Sequence, residues 1–482
     1  MSSEAKQIAL DWVDEYKELL IEVHNKVWEY AEVGLQEYKT SRFLADILER
    51  NGFRIEMGIA GMPTAFVATW GEGRPIIGVM AELDALPGLS QKSVPHREPV
   101  REGAPGHGCG HHGYAAAALG GVLAAKEAME RLKLPGTLKC FGCPAEETVV
   151  GKVFMVREGV FDGLDACLGH HPSQINSVSL KSSNAMNSVK FEFFGIPSHA
   201  AGSPEQGRSA LDAVELMNIG VNYLREHVID KARIHYIIEV GGLQPNIVPE
   251  YARVWYYVRA PERDIVESIY KRVLKIADGA ALMSETRYRV RFLTGVYNTI
   301  PNKTLAELIV TNMKEIGPPK YDEEELKFAR ELGKTIPREE KINALRRIGH
   351  PELLELVDVD LCDKVLDPWG EGMTMAGSSD VADVSWNTPT LQFGTTMFIL
   401  GAPGHSWQNV ASGGMSIGHK STLFASKVMA ATIVDLITKP ETLGEAQEEW
   451  RSKTRGLEYR SPLPSDLKPP LDQLPPMSEK GN

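Results

Sequence analysis

Cysteine is scarce in this sequence, five in 482 residues, at 109, 140, 143, 167 and 362. An odd and thinly spread set does not make a disulfide scaffold in a chain this long, and most of these thiols read as small buried hydrophobes. Long apolar runs are missing too. The longest, Tyr114 to Ala125, has 12 residues, far short of the ~20 that cross a bilayer. Near the N-terminus, Asp11, Asp14 and Glu15 stand where a signal peptide needs its apolar core. Positive charge is not in excess: 52 Lys and Arg face 64 Asp and Glu, a net charge of −12. Without a basic block the chain is a poor match for a phosphate backbone. These shortages predict a cytoplasmic protein with neither membrane nor nucleic acid as partner. What is present, 43% hydrophobic and 24% charged residues, is an ordinary globular balance, and the length argues for two domains.

The first 55 residues predict two helices. Ile8, Trp12, Tyr16, Leu19, Leu20 and Val23 recur at helical spacing, and Phe43, Leu44, Ile47 and Leu48 do so again before Gly52. Strands are expected over 65–70, 76–80, 137–143 and 164–169. Between them, 114–132 reads as a helix of small residues, the kind buried between layers. Such alternation predicts an α/β sheet with helices on both faces. Near 185 the pattern changes: strand, helix, two strands, a helix over 262–283 and a strand over 287–294. That order, β-α-β-β-α-β, is ferredoxin-like, and 183–296 has the size of an inserted domain. The first domain is then discontinuous, 1–182 and 297–440. Residues 318–350 are highly charged and read as a solvated helical excursion, and 441–482 as a Pro-rich C-terminal tail.

Four short clusters carry metal-type donors at strand ends or in loops: Gly106-His-Gly-Cys-Gly-His-His-Gly113, Pro144-Ala-Glu-Glu147, Gly169-His-His-Pro172 and Gly404-His-Ser-Trp407. Glycines around Cys109 let the chain turn tightly, so that Cys109 and His111 can face one centre. In the Glu146–Glu147 pair, one carboxylate can bind a metal while its neighbour accepts a proton from water. A histidine at a strand end is more often a satisfied core or surface side chain than a ligand. Four clusters in one chain argue otherwise, because ligands collect at strand ends of open α/β sheets. Thiolate, imidazole and carboxylate together suit zinc or manganese rather than calcium.

Glu82-Leu-Asp84 closes a buried strand, where carboxylates need partners. Asp84 reads as the group that orients a metal ligand from behind, or more plainly as a turn cap. Cys140-Phe-Gly-Cys143 has zinc-knuckle spacing but no second pair, and a strand turns the two thiols to opposite faces, so both read as core. Gly414-Met-Ser-Ile-Gly418 matches a serine-nucleophile elbow but lacks the strand that must precede it.

These strings resemble those of the co-catalytic metallopeptidases and amidohydrolases, the family that includes carboxypeptidase G, the aminoacylases and the plant auxin-conjugate hydrolases. The resemblance runs over roughly residues 20–435. It rests on Glu82-Leu-Asp-Ala-Leu-Pro87, His107-Gly-Cys-Gly-His111, Pro144-Ala-Glu-Glu147, Ser198-His-Ala200, Gly242-Leu-Gln-Pro-Asn-Ile-Val-Pro249 and Gly377-Ser-Ser-Asp380. It implies a catalytic domain with a mixed central sheet flanked by helices, and an inserted ferredoxin-like α+β lid and dimerisation domain.

The same resemblance implies two divalent metal ions, zinc or manganese, held by Cys109, His111, Glu147, His171 and His405. His171 is a better match than His170, and His405 than His419. Glu146 would be the general base, with Asp84 behind the ligands. The lid would supply His199 to the oxyanion, and Asn246 and Arg259 to the substrate, partly across a homodimer interface. Arg259 suits a bidentate grip on a carboxylate, although a lone strand arginine commonly ends in a salt bridge. The implied reaction is hydrolysis of an N-acyl or N-aroyl amino acid, such as an aminobenzoyl-glutamate-like conjugate. The alternatives are a dipeptidase or aminoacylase on the same scaffold, a metal-free serine hydrolase using Ser416, and a non-catalytic binding subunit. Two positions depart from the amidohydrolase branch, His112 and Glu82, where that branch has aspartates.

Overall fold

The computed structural model describes residues 4–471. Among the described residues ten strands occur: β1 (Arg54–Met57), β2 (Phe66–Glu72), β3 (Ile76–Glu82), β4 (Gly136–Cys143), β5 (Ala166–His170), β6 (Ala185–Phe194), β7 (Arg233–Val240), β8 (Tyr251–Ala260), β9 (Arg287–Val296) and β10 (Thr390–Phe393). Six form the central sheet in the order β1-β2-β4-β3-β5-β10. Strands β4, β3, β5 and β10 run parallel, while β1 and β2 are antiparallel at one edge. The sheet is therefore mixed. Strands β3, β4 and β5 are almost continuously buried, as strands covered on both faces must be. Their carboxyl ends emerge on one side with that of β10, so the segments after Glu82, Cys143, His170 and Phe393 are neighbours.

The helices His111–Leu132 and Ser416–Thr438 pack on one face of this sheet and against each other. Small residues make that approach possible. A Cβ on Gly120 would stand 2.4 Å from Ser426 Oγ, and one on Gly121 2.4 Å from Met429 Cγ. Ser416–Thr438 is long and apolar enough to cross a membrane, yet 83% of its most apolar window is buried in the fold; it is a core helix. Cys140 belongs to the core on this face and Cys143 to the core on the other, as their spacing on β4 requires.

The second sheet, β7-β8-β6-β9, is antiparallel throughout, with the helices Ala210–Leu224 and Arg263–Met283 packed on it around Phe191, Val254 and Tyr256. This is the ferredoxin-like arrangement. Two chain crossings join it to the larger body. They are tied where Ser182 Oγ donates to the Thr299 carbonyl at 2.7 Å and the Ser183 and Thr299 hydroxyls meet at 2.7 Å.

Three expectations differ from what is found. The N-terminal segment holds three helices, not two: Glu4–Glu15, Lys17–Tyr30 and Tyr38–Arg50. The apolar spacing runs on through Tyr16, whose ring stacks on Trp12, but its backbone leaves the helix at φ −100°, ψ 20°. The charged stretch is not solvated all round. Its helix Glu323–Gly333 buries Phe328 and Leu332, with Ile336 from the turn that follows, against Ile399, Ala411 and Ile417, and its helix Arg338–Ile348 buries Leu345 beside Ile175 and Leu353, apolar positions that the charges obscure in the sequence.

The expected tail begins instead with a helix, Pro440–Thr454, docked by the Trp450 indole N–H on the Ser385 carbonyl at 2.8 Å. Extended chain starts only after it. That chain is held where Tyr459 donates to Asp383 Oδ1 at 2.8 Å and Arg157 donates to the Pro464 and Leu467 carbonyls. The stretch 472–482 lies outside the described residues.

Candidate metal centre

The donors meet at the carboxyl ends of the parallel strands. Beyond β3, Asp84 is fully buried and does two jobs. Its Oδ1 and Oδ2 accept the backbone N–H groups of Glu146 (3.2 Å) and Glu147 (3.0 Å), and its Oδ1 lies 3.2 Å from His111 Nδ1. One carboxylate therefore fixes both the Glu146–Glu147 turn and the His111 ring. With Nδ1–H directed at Asp84, Nε2 is left as the free donor. Gly110 brings the chain from Cys109 into the helix at His111 with φ +86°; a Cβ there would stand 2.8 Å from Phe398 Cζ and from Pro172 Cβ. Only glycine serves this turn. From behind, the Glu37 carboxylate accepts the Ala145 N–H at 2.8 Å; burial, then Asp84, pushes its carboxyl up to about 8.

Three overlapping triads result: Glu82, His111 and Glu146 form one, and the other two share Cys109. Cys109, His111 and His171 offer ligand atoms within 4.8 Å of one another, and so do Cys109, Glu147 and His405. The Cys109 sulfur lies 3.3 Å from His171 Nε2, and His405 Nε2 3.4 Å from Glu147 Oε2. His405 reaches the centre from a loop, in a left-handed conformation (φ +53°), which costs a non-glycine residue roughly 1–2 kcal/mol. All five implied ligands are thus brought together.

Does the site fit a cation? Glu82 Oε2, His111 Nε2 and Glu147 Oε1 are buried polar atoms without a hydrogen bond, and the first two lie only 3.3 Å apart. Burial, then the Glu147 carboxylate, raises the pKa of the Cys109 thiol. Burial, opposed by His111 and reinforced by the Asp84 and Glu82 carboxylates, pushes Glu147 up to about 7, and burial followed by the Glu82 carboxylate lifts Glu146 well above the ordinary range. The centre is short of positive charge, and divalent cations fit that deficit.

Behind the donors stands an arrangement that the sequence did not announce. Lys152 and Glu82 are completely buried, as is Asp380; Lys152 Nζ is 2.9 Å from Glu82 Oε1 and 2.7 Å from Asp380 Oδ1. Burial disfavours charge on Lys152, but Asp380 and Glu82 outweigh it and raise its pKa. Glu82 is thereby held as an anion against His111. The available signal was a single charge within Val149-Val-Gly-Lys-Val-Phe-Met-Val156. Ser379 was also missed as a side chain in its own right. Its hydroxyl donates to Glu146 Oε1 at 2.8 Å and so leaves Oε2 open.

Other expected residues lie elsewhere. Arg259 lines the same cavity as Cys109, Glu146 and His171. His199 and Asn246 are exposed and do not line it. His199 Nδ1 accepts from the Ala201 and Gly202 N–H groups, and the Asn246 carbonyl accepts from Ala200 N–H. His170 turns away to Thr395 Oγ1 (2.7 Å), and His419 bonds Asn25 Oδ1 (2.7 Å). Ser416 donates to Glu325 Oε1 at 2.7 Å. His112 points away from the centre, its ring packed between His24 and His107. Because Cys109 belongs to two of the three triads, Cys109→Ala should lower the metal content of the purified chain, as read by elemental analysis; unchanged stoichiometry would remove it from the ligand set.

The family model described as peptidase family M20/M25/M40 matches residues 78–336. A p-aminobenzoyl-glutamate hydrolase subunit of Escherichia coli (strain K12) is 39% identical over 95% of this chain and 97% of its own length. Xaa-Arg dipeptidase of Mus musculus is 28% identical over 93% of this chain and 92% of its own length. Among solved structures, an aminobenzoyl-glutamate utilization protein from Klebsiella pneumoniae shares the fold at TM-score 0.59 and 18% identity, covering 88% of this chain and 97% of that one. With more than half its length matched by that model and a full-length relative at 39% identity, the chain belongs to peptidase family M20/M25/M40.

Proposed function

We propose that this amide-bond hydrolase cleaves N-acyl or N-aroyl amino acids, an aminobenzoyl-glutamate-like conjugate among them, with Glu146 as the group that moves the proton. The observation that carries this is the placement of Glu146 on the cavity wall beside the two triads that share Cys109, with one carboxylate oxygen held by Ser379. Two divalent cations, zinc or manganese, held by Cys109, His111, Glu147, His171 and His405, would polarise the amide carbonyl and acidify the attacking water. Glu146 accepts the water's proton on Oε2 and returns it to the leaving amine. Arg259 offers a planar grip on the substrate's carboxylate.

His199 and Asn246 would act on a partner's site in a homodimer formed through the four-stranded domain. Exposed Ile237 and Ile238 on its edge strand β7 support that pairing. Across such an interface His199 would donate to the developing oxyanion, a contact worth about 3 kcal/mol. The scarcity of cysteine supports a reducing, cytoplasmic setting. The serine alternative has no support from Ser416, whose hydroxyl is committed to Glu325.

The test is elemental analysis of the purified chain, paired with amidase assays on aminobenzoyl-glutamate and a panel of N-acyl amino acids and dipeptides, with and without chelator. About two metal ions per chain and activity abolished by chelator are expected. A chain that takes up neither zinc nor manganese would overturn the metal site. A loaded chain that hydrolyses nothing on the panel would overturn the substrate class.

A further inference from the structure

Lys181 and Arg259 both line the cavity of about 570 Å³ onto which Cys109, Glu146 and His171 open. Neither forms an ion pair with an acidic side chain of the described residues. Lys181 Nζ donates to the Ile348 carbonyl at 2.6 Å, which uses one of the three donors of an ammonium. Arg259 lies over the Tyr257 ring at 5.1 Å, and its Nε is buried without a hydrogen bond. Directly across the β7–β8 ladder from Arg259 stands Arg233, whose guanidinium donates to the Asp230 and Ala232 carbonyls and brings no anion to Arg259.

Shortage of acid does not explain this, since the chain has 64 acidic residues against 52 basic ones. Burial lowers the pKa of both groups, with no carboxylate to offset it. The chain also brings the two cations to neighbouring segments of that wall. Arg259 pairs with Met186 at the start of β6, and Lys181 precedes that strand in the crossing from the larger body.

Building on the amide-hydrolase function above, we propose that Lys181 and Arg259 together hold a doubly anionic amine portion of the substrate. The site then selects N-acyl dicarboxylic amino acids over their neutral analogues. Arg259 takes one carboxylate in a planar, bidentate contact, and Lys181 meets the second as a point charge. Lys181 is thus a specificity-determining residue, on the opposite side of the inter-domain crossing from Arg259.

The test uses N-benzoyl-L-glutamate and N-benzoyl-L-glutamine, which have nearly the same shape and differ by one charge. Binding is measured calorimetrically on the metal-loaded full chain in a Glu146→Gln background, so that it is read without turnover. The glutamate conjugate should bind at least about tenfold tighter (~1.4 kcal/mol). Lys181→Met, which keeps the side-chain stem, should erase that difference and leave the glutamine conjugate within about twofold; Lys181→Arg should preserve it. Equal binding of the two conjugates before substitution, or a Lys181→Met variant that weakens both alike, would overturn the proposal. Turnover by the unsubstituted chain is measured separately. If it hydrolyses neither conjugate while the binding preference holds, the hydrolase function falls and the two-cation site stands.

Discussion

Glu146→Gln should keep its metal and lose turnover, with kcat lower by about 10²–10⁴-fold. The amide is nearly isosteric, and its oxygen can still accept the Ser379 hydroxyl that now reaches Glu146 Oε1, so the turn held by Asp84 is not disturbed. What disappears is the atom that takes and returns a proton. A loss of this size is about 3–5 kcal/mol of barrier. Metal stoichiometry should be unchanged, because Glu146 belongs to neither of the two triads that share Cys109. Activity within about tenfold of the parent, with metal in place, would show that the proton is moved by another group. A parallel loss of metal and activity would instead make Glu146 a ligand, an outcome to watch because it can offer an atom close to Glu82 and His111.

The largest effect on stability is expected at Lys152. Its ammonium is the cation between Glu82 and Asp380, and all three side chains are shielded from water. Lys152→Met fills the volume but strands two carboxylates in the interior, a change that costs about 3–5 kcal/mol. It should appear as a lower urea midpoint for the transition of the larger domain. Adding Glu82→Gln removes one stranded charge and should recover part of the loss. A single-variant loss below about 1 kcal/mol, or no recovery in the double variant, would show that charge burial is not what holds these residues together. The same variant should weaken metal binding, since Glu82 would protonate and cease to face His111 as an anion.

Much of this molecule was legible in its sequence for local reasons. Glycines on both sides of Cys109 and paired carboxylates after an apolar strand are signals that a short window contains. The parity of positions on a strand separates Cys140 from Cys143 without any knowledge of the fold. Lys152 was not legible in that way. A lone lysine in an apolar run looks like an interruption until the topology supplies Asp380, which lies 228 positions away in sequence. Tyr16 shows the reverse problem, because its side chain keeps the helical pattern while its backbone departs from it. The charged helices between 323 and 348 hide their apolar positions through composition alone. His199 and Asn246 follow from motifs, but folding sets them on the exposed surface, off the wall of the cavity that the donors line.

The two crossings between the bodies, tied through Ser182, Ser183 and Thr299, have a mechanical consequence. A closing four-stranded body would pivot on these two strands of chain, and would have to release the Thr294 hydroxyl from the Val149 carbonyl, to which it donates at 2.6 Å. A swing about that pivot would carry Arg259 along an arc, while Lys181, on the fixed side, keeps its distance from the metal centre. A doubly charged ligand would then be caught first by the stationary cation and clasped afterwards by the moving one. Capture and closure would become successive events, and substrate charge would set how long the four-stranded body stays closed.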